Sequence, residues 1–352
     1  MKTLERLEQL SNAFGPPAHE EEVRELIRTP LEGLVDRVEV DTLGNLIGYR
    51  DAGSDKTLML DAHMDEVGFM VSHIDGDGFL RLTGLGGWDA RILPSHAIEV
   101  RTRAGTRVPG VIGSKPPHIL TSDERKKAHD LDDLFVDIGV SSREEAHELG
   151  VRVGDPAVIS YPFRSTDRDI AFGKAFDDRA GCAIALTVLD AVQGSEIPWN
   201  LAVNFATSEE VGLRGAKTAA FHIAPTWALA LETTVAADVP GVSEAKQPTR
   251  LGAGPAITVA DKSAIVPPVM VRALETLAEQ QELPYQLKAP AYGGTNAGAI
   301  SLSRGGVAAA VLNVPCRYIH APVSLLKPSE LEQTARLARA FVLEGRGLLT
   351  RA

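Results

Sequence analysis

The sequence predicts an α/β protein: a mixed, largely parallel sheet with helices on both faces, interrupted by a small inserted β-barrel-like domain. Two observations carry this. From about residue 164 onward, apolar runs that do not alternate, such as NLAVNFATS, WALALETT and GGVAAAVLNVP, are separated by segments of helical periodicity. That is the pattern of parallel strands covered on both sides. Between Val67 and Phe163 the texture is instead short strands punctuated by DGDG, GLGG, RAGT and VGD, the pattern of a compact β module.

The elements follow in order. LERLEQLSNAF reads as a helix, GPP breaks it, and HEEEVRELIRTPL begins a second. Glutamates in the first turn of that second helix and arginines toward its end complement the helix dipole. VEVD, NLIGY, KTLMLDA and VGFMVSHI are β-rich runs separated by Gly, Asp and Ser, so a sheet begins there. Within the module only SSREEAHELG reads as helical. Beyond it come a helix in DDRAGCAIALTVLDAV, the strand NLAVNFATS, a helix in LRGAKTAAFHI, the strand WALALETT and a helix in PPVMVRALETLAEQQEL. The buried strand GGVAAAVLNVP and a closing helix, PSELEQTARLARAFVLEG, with Ser329 as its expected N-cap, complete the chain. Residues 1–66 and 164–352 are thus one discontinuous domain, and residues 67–163 are the insertion.

Composition narrows the function. With 44% hydrophobic and 24% charged residues among 352, a sizeable core can be buried. A net charge of -11 opposes attraction to phosphate backbones or anionic membranes, so no nucleic-acid or membrane partner is expected. No run approaches the roughly 18 apolar residues of a membrane span, and MKTLERLEQL carries charges where a secretory peptide needs an apolar stretch. The expected location is the cytoplasm. Only Cys182 and Cys316 are present, too few for a disulfide framework or a thiolate zinc site. Any metal must be held by imidazole and carboxylate.

Chemistry in such sheets collects at the carboxyl ends of strands. After TLMLDA come His63 and Asp65, two apart and so able to face one site. After GKAF come Asp177 and Asp178, where helix capping is the plainer explanation. Glu209 and Glu210 follow NLAVNFATS with no basic neighbour nearer than Arg214. Glu232 follows TWALAL, and His320 follows AAAVLNVPCRY. Each alone has a structural reading. Together they supply two imidazoles and several carboxylates, the ligand set of zinc or cobalt rather than calcium or magnesium. His19, His73, His96, His118, His129, His147 and His222 are expected in surface or structural roles.

AHMDEVGFMV, GKAFDDRAG, ATSEEVGLRGA, LETTVAADVPG, YGGTNAGAI and RYIHAP occur in this order over nearly the whole chain. In these motifs the sequence resembles the M42 family of dinuclear metallo-aminopeptidases, which includes the tetrahedral aminopeptidases and the glutamyl aminopeptidase group; some relatives have been labelled endoglucanases. The resemblance implies a zinc-peptidase-like fold and two divalent ions per subunit, Zn2+ or Co2+, with Mn2+ a further option. It implies that His63, Asp177, Glu210, Glu232 and His320 hold the metals and that Asp177 bridges them. His63 and Glu232 would belong to one ion, Glu210 and His320 to the other. Glu209 matches the general base, and Asp65 the acid that orients the His63 imidazole.

The substrates so implied are short peptides with a free N-terminus. The module of residues 67–163 is implied to dimerise, with dimers assembling into a tetrahedral dodecamer. Two departures stand out. The family's GGTDA reads GGTNA, placing Asn296 where an acid is usual, and relatives often have serine after the histidine of RYIHAP. Lys262 and Arg317 are candidates for binding an acidic substrate side chain, against the alternative of surface ion pairs. Rival readings are hydrolysis of another bond, an N-acyl amide or a glucan, and a non-catalytic scaffold. A scaffold predicts lost ligands, whereas all five expected ligands and Glu209 are present.

Overall fold

The computed structural model describes residues 1–289 and 292–349. Its first elements are helices α1 (Thr3–Asn12) and α2 (Glu21–Leu31), then strands β1 (Arg37–Val40), β2 (Leu46–Arg50) and β3 (Thr57–His63). The chain next forms β4 (Gly68–Ile74), β5 (Leu80–Leu85), β6 (Ala97–Arg101), β7 (Arg107–Gly113), β8 (Phe135–Asp137), the short helix α3 (Arg143–Glu148) and β9 (Pro156–Ile159). These six strands close into a barrel in the order β4-β5-β8-β7-β6-β9, every pair antiparallel. Inward residues such as Phe69, Val71, Val100, Ile112 and Val136 fill it. The Phe69 and Trp88 rings stack with centroids 4.9 Å apart.

The chain then passes through β10 (Arg164–Thr166), β11 (Ile170–Gly173), α4 (Phe176–Ala191), β12 (Asn200–Ala206), α5 (Arg214–Ile223), β13 (Trp227–Val235) and β14 (Ala256–Thr258). It ends with α6 (Pro268–Gln280), β15 (Gln286–Lys288), α7 (Asn296–Ser301), β16 (Ala308–Arg317), β17 (Ser324–Leu326) and α8 (Pro328–Leu349). The main sheet runs β1-β2-β12-β3-β13-β16-β17-β11-β10, with β14 and β15 joined through β16. Its centre, β12-β3-β13-β16, is parallel, and the flanking pairs are antiparallel, so the expected mixed, largely parallel sheet is what forms.

Both faces of the central strands are covered. Leu58, Leu60, Leu229 and Leu231 point into the larger core with α1, α4, α6 and α8. The alternate residues Met59, Ala228, Ala230, Ala309 and Val311 pack with α5 and α7. Those small side chains let α5, presenting Ala216, Ala219 and Ala220, lie close to the sheet. Gly181 in α4 serves the same end, because a Cβ there would collide with the Leu231 carbonyl of β13 and with Asp178.

Two local expectations change. Ser329 lies within the first turn of α8 rather than at its cap, and Asp169 accepts hydrogen bonds from its N–H at 2.9 Å and its hydroxyl at 2.6 Å. The short strands β14 and β15 carry no periodicity and were not expected. Among the described residues no helix is long and apolar enough to cross a membrane.

Candidate metal centre

Because β12, β3, β13 and β16 are adjacent and parallel, their carboxyl ends meet along one edge. His63 ends β3, Glu209 and Glu210 follow β12, Glu232 lies in β13, and His320 follows β16. Asp177 joins them from the start of α4, and Asp65 follows just after β3 against Glu209 and Glu210, so the structure brings these seven residues of the sequence reading to one place. Asp177 is the hub. Its Oδ1 lies 3.2 Å from His63 Nε2, and its Oδ2 lies 3.5 Å from His320 Nε2. Glu232 Oε2 and Glu209 Oε2 stand 3.9 and 4.0 Å from His63 Nε2. Glu210 Oε1 is 3.3 Å from His320 Nε2.

Each imidazole is aimed by a carbonyl behind it. His63 Nδ1 lies 3.0 Å from the Asp65 carbonyl, and His320 Nδ1 lies 3.0 Å from that of Gly87. A carbonyl only accepts, so each ring carries its proton on Nδ1 and presents Nε2 to the site. Gly87 belongs to the GLGG turn after β5, so the inserted barrel helps to orient His320.

Asp65 does more than was expected of it. Its carboxylate lies 3.4 Å from His63 Nδ1, yet its hydrogen bonds come from elsewhere: Glu209 N–H donates to Oδ1 at 2.9 Å and Glu210 N–H to Oδ2 at 3.0 Å. The tandem glutamates are therefore fixed by their backbone. Glu20, immediately before α2, holds the preceding residues, accepting from Thr207 Oγ1 at 2.5 Å and Ser208 N–H at 3.0 Å. Asp178 takes the capping role weighed for the Asp pair. It accepts from Gly181 N–H at 2.9 Å and from His63 N–H at 3.2 Å, pinning the end of β3 to the start of α4. Asp177 is left free to face the site.

The donor set fits divalent cations. Asp177, Glu209, Glu210 and Glu232 are all largely buried and, among the described residues, none pairs with Lys or Arg. Glu210 Oε1 and Glu232 Oε1 are buried and accept no hydrogen bond, which is costly unless a cation binds there. Electrostatics agree. Burial, reinforced by neighbouring carboxylates and opposed by His63, pushes Glu209 up to about 8. His320 is pushed up to about 11, because Asp177 and Glu210 outweigh the burial that would lower it. Without metal, the two imidazoles are the nearest cations in a site crowded with acid. His63, Asp177 and Glu210 form one group with ligand atoms within 4.8 Å of one another, and His63, Asp178 and Glu232 form another. Asp178 is the poorer ligand of these, since both its oxygens already accept backbone N–H groups.

A model of the M42 glutamyl aminopeptidase family matches residues 44–337. The chain belongs to the M42 aminopeptidase family. It is 35% identical over 332 residues to the lysyl aminopeptidase of Pyrococcus furiosus, covering 92% of this chain and 91% of the relative. A TET aminopeptidase from the marine sediment archaeon Thaumarchaeota archaeon SCGC AB-539-E09 superposes with a TM-score of 0.94 at 39% identity, covering 97% and 96% of the two chains. The TET1 peptidase of Pyrococcus horikoshii, which can assemble into a tetrahedron or a large octahedral shell, matches with a TM-score of 0.86 at 32% identity, covering 97% and 100%.

The M42 departure at Asn296 now has a structural setting. Asn296 is fully buried, and its amide donates to Asp61 Oδ2 at 2.8 Å, while Asn204 donates to Oδ1 at 2.6 Å. The acid of this buried group is Asp61, on β3. Burial pushes Asp61 up to about 7, although both amides and His63 favour its charged form. Asp61 was visible as an acid inside the apolar run TLMLDAH, two residues before His63.

Neither candidate base is among the described residues that line the cleft. Arg317 is held by Asp238 through contacts of 2.9 and 2.6 Å, which is the ion-pair alternative. Lys262 is exposed and does not line the cleft.

Proposed function

We propose that this M42 protein is a metal-dependent aminopeptidase that hydrolyses the N-terminal peptide bond of short peptides. Two divalent ions, zinc or cobalt, would be held by His63, Asp177, Glu210, Glu232 and His320. The observation that carries this reading is Asp177, whose two oxygens face two different imidazoles at 3.2 and 3.5 Å. That is the disposition of a carboxylate shared between two sites. Distances favour Glu232 with His63 and Glu210 with His320.

When bound, such ions lower the pKa of water and polarise a peptide carbonyl. The chain's own residues do the rest. Glu209 has no assigned ligand duty, so its carboxylate can take the proton of the attacking water and return it to the leaving amine. Beside dications its charged form is favoured, which is the form a base requires. Asp65 keeps the two glutamates in register, one for metal and one for the proton. The inserted barrel, residues 67–163, is proposed as the surface through which chains dimerise and then build a tetrahedral particle. The assembly of the Pyrococcus horikoshii relative supports this, as do the exposed barrel residues Ile92, Val111 and Ile119.

Glu209→Gln tests the mechanism. Release of amine from aminoacyl anilides should fall by roughly 10²- to 10⁴-fold while metal content, measured by elemental analysis, is retained. Preserved turnover would remove Glu209 from its role. Mass by light scattering tests the assembly, and a monomer at working concentration would sink it.

A further inference from the structure

Three successive peptide N–H groups around the candidate base, those of residues 208–210, end on buried carboxylates. Glu209 and Glu210 donate to Asp65, and Ser208 donates to Glu20 Oε1 at 3.0 Å. The same Glu20 oxygen accepts from Thr207 Oγ1 at 2.5 Å and from Ala18 N–H at 2.9 Å. The Ala18 contact folds the side chain back onto its own turn, which His19 N–H closes on the Pro16 carbonyl at 2.9 Å. Glu20 therefore meets the loop after β12 with its direction already set.

Helix capping does not explain this residue. Glu20 stands at the N-cap of α2, yet its side chain caps none of that helix's N–H groups. It is 1% exposed, and among the described residues no lysine or arginine pairs with it. A carboxylate buried without a cation is costly, so stability alone is a poor reason for it. What it holds is a bend. Ser208 has a φ of +54°, a left-handed conformation that a residue with a Cβ keeps only where its surroundings fix it. The Ser208 carbonyl accepts Arg214 N–H at 3.2 Å, and that of Thr207 accepts Gly215 N–H at 3.0 Å, which ties the carbonyl side of the bend to α5. Glu20 ties the N–H side. In the same segment between α1 and α2, the Gly15 carbonyl accepts Glu66 N–H at 3.0 Å, so this segment braces the loop after β3 as well as the loop after β12.

We propose that Glu20 is a positioning residue for the general base: by holding Ser208 in its left-handed bend, it aims the Glu209 carboxylate into the cleft. That cleft, about 540 Å³ in volume, is lined by His63, Asp177 and Glu209 but not by Glu20. The inference rests on the aminopeptidase reading above, in which Glu209 moves the proton. Glu20 touches neither substrate nor metal and acts only through the backbone that carries the base.

Reach and charge separate at this position. Glu20→Gln keeps the length and an accepting oxygen but loses the charge. Glu20→Asp keeps the charge but falls one methylene short, and its carboxylate is then placed to cap α2 instead. On metal-loaded full-length protein hydrolysing an aminoacyl anilide, Glu20→Asp should lower kcat by roughly 10- to 100-fold with KM near wild type. Glu20→Gln should recover most of that loss. Rates are expressed per bound metal, so a reduced folded fraction cancels, and Glu20→Ala takes the place of Glu20→Asp if that variant does not fold. The reverse order, or a kcat unchanged in Glu20→Asp, overturns the proposal. In the Glu209→Gln background Glu20→Asp should cost no more than about a further twofold, because the group it aims is gone. A full repeat of the loss would show that Glu20 acts through something other than Glu209 and would sink the idea. A crystal structure of the Glu20→Asp protein gives a reading without turnover: the Glu209 carboxylate should lie roughly 1 Å or more from its wild-type place, and an unmoved carboxylate overturns the proposal. Wild-type protein that hydrolyses no aminoacyl anilide, neutral ones included, would instead overturn the aminopeptidase reading.

Discussion

Asn296 donates its side-chain amide to Asp61 Oδ2 at 2.8 Å, across 235 residues of sequence. Both residues are fully buried, so this contact is short of alternatives. Asn296→Asp would set two buried carboxylates against each other, where one is driven to keep a proton. The expected result is a destabilised protein, most of all at alkaline pH. Adding Asp61→Asn should recover stability, with a coupling of about 1–3 kcal/mol. Urea denaturation of the two single variants and the double variant checks this; strict additivity would show that the pair does not interact.

Asp65 is expected to act through the two glutamates. Asp65→Ala removes the acceptor of both the Glu209 and Glu210 N–H groups, while His63 keeps its hydrogen bond to the backbone carbonyl of residue 65. Loss of such an outer partner typically costs about 10- to 100-fold in activity or metal affinity. Metal titration alongside kcat/KM should show both declining. If affinity and rate both stayed at wild-type levels, the clamp on the glutamates would be dispensable.

His63, Asp177, Glu209, Glu210, Glu232 and His320 could be singled out in the sequence because each lies at or shortly after the end of a mainly apolar segment. Parallel strands then bring such residues to one edge as a matter of topology. Other parts of the site had no such signal. Glu20 reaches Thr207 across 187 residues and Gly87 reaches His320 across 233, and nothing local in a glutamate-rich helix start or a glycine turn marks those contacts.

Beneath the FDDR segment lies a buried ionic group that should carry stability. Lys174 Nζ donates to Glu66 at 2.6 and 2.8 Å and to the Ala13 carbonyl at 2.8 Å. Arg179 contacts the Leu10 and Gly15 carbonyls at 2.7 and 3.1 Å and Glu66 at 3.4 Å. Lys174→Met leaves Glu66 with only the longer Arg179 contact, for an expected loss of about 3 kcal/mol. Adding Glu66→Gln should restore part of this. A Lys174→Met protein with an unchanged urea midpoint would contradict the account.

Metal removal should affect stability as well as rate. Without cations, four acids share the cleft with two imidazoles, and Glu210 Oε1 and Glu232 Oε1 accept no hydrogen bond. A chelator should abolish turnover and lower Tm. Restoring zinc or cobalt at about a hundred times its Kd should return about 2.7 kcal/mol per site. The check is a thermal melt at increasing metal concentration with the His63→Ala protein alongside, whose Tm should respond far less. Equal responses would move the metal site elsewhere.

Glu330, which is not among the residues of the candidate metal centre, should give the protein a measurable pH dependence. It lies in the first turn of α8, 1% exposed, with Oε1 accepting the Gly252 and Gly254 N–H groups at 2.9 and 2.8 Å and Oε2 unpaired. Burial raises its pKa, and the two backbone donors and Lys327 do not cancel that. The folded state therefore holds this proton to higher pH than the unfolded chain does. Where the native state binds more protons, stability falls as pH rises: the contribution is full below the unfolded pKa and is lost as pH passes through the raised folded value. Glu330→Gln keeps the shape and the accepting oxygen but cannot titrate. Relative to wild type, the variant should gain stability as pH rises from the unfolded pKa through the raised folded one and level off above it, read from urea midpoints in one metal state. A difference that is flat across that range, or that runs the other way, would show that burial does not govern this carboxyl group.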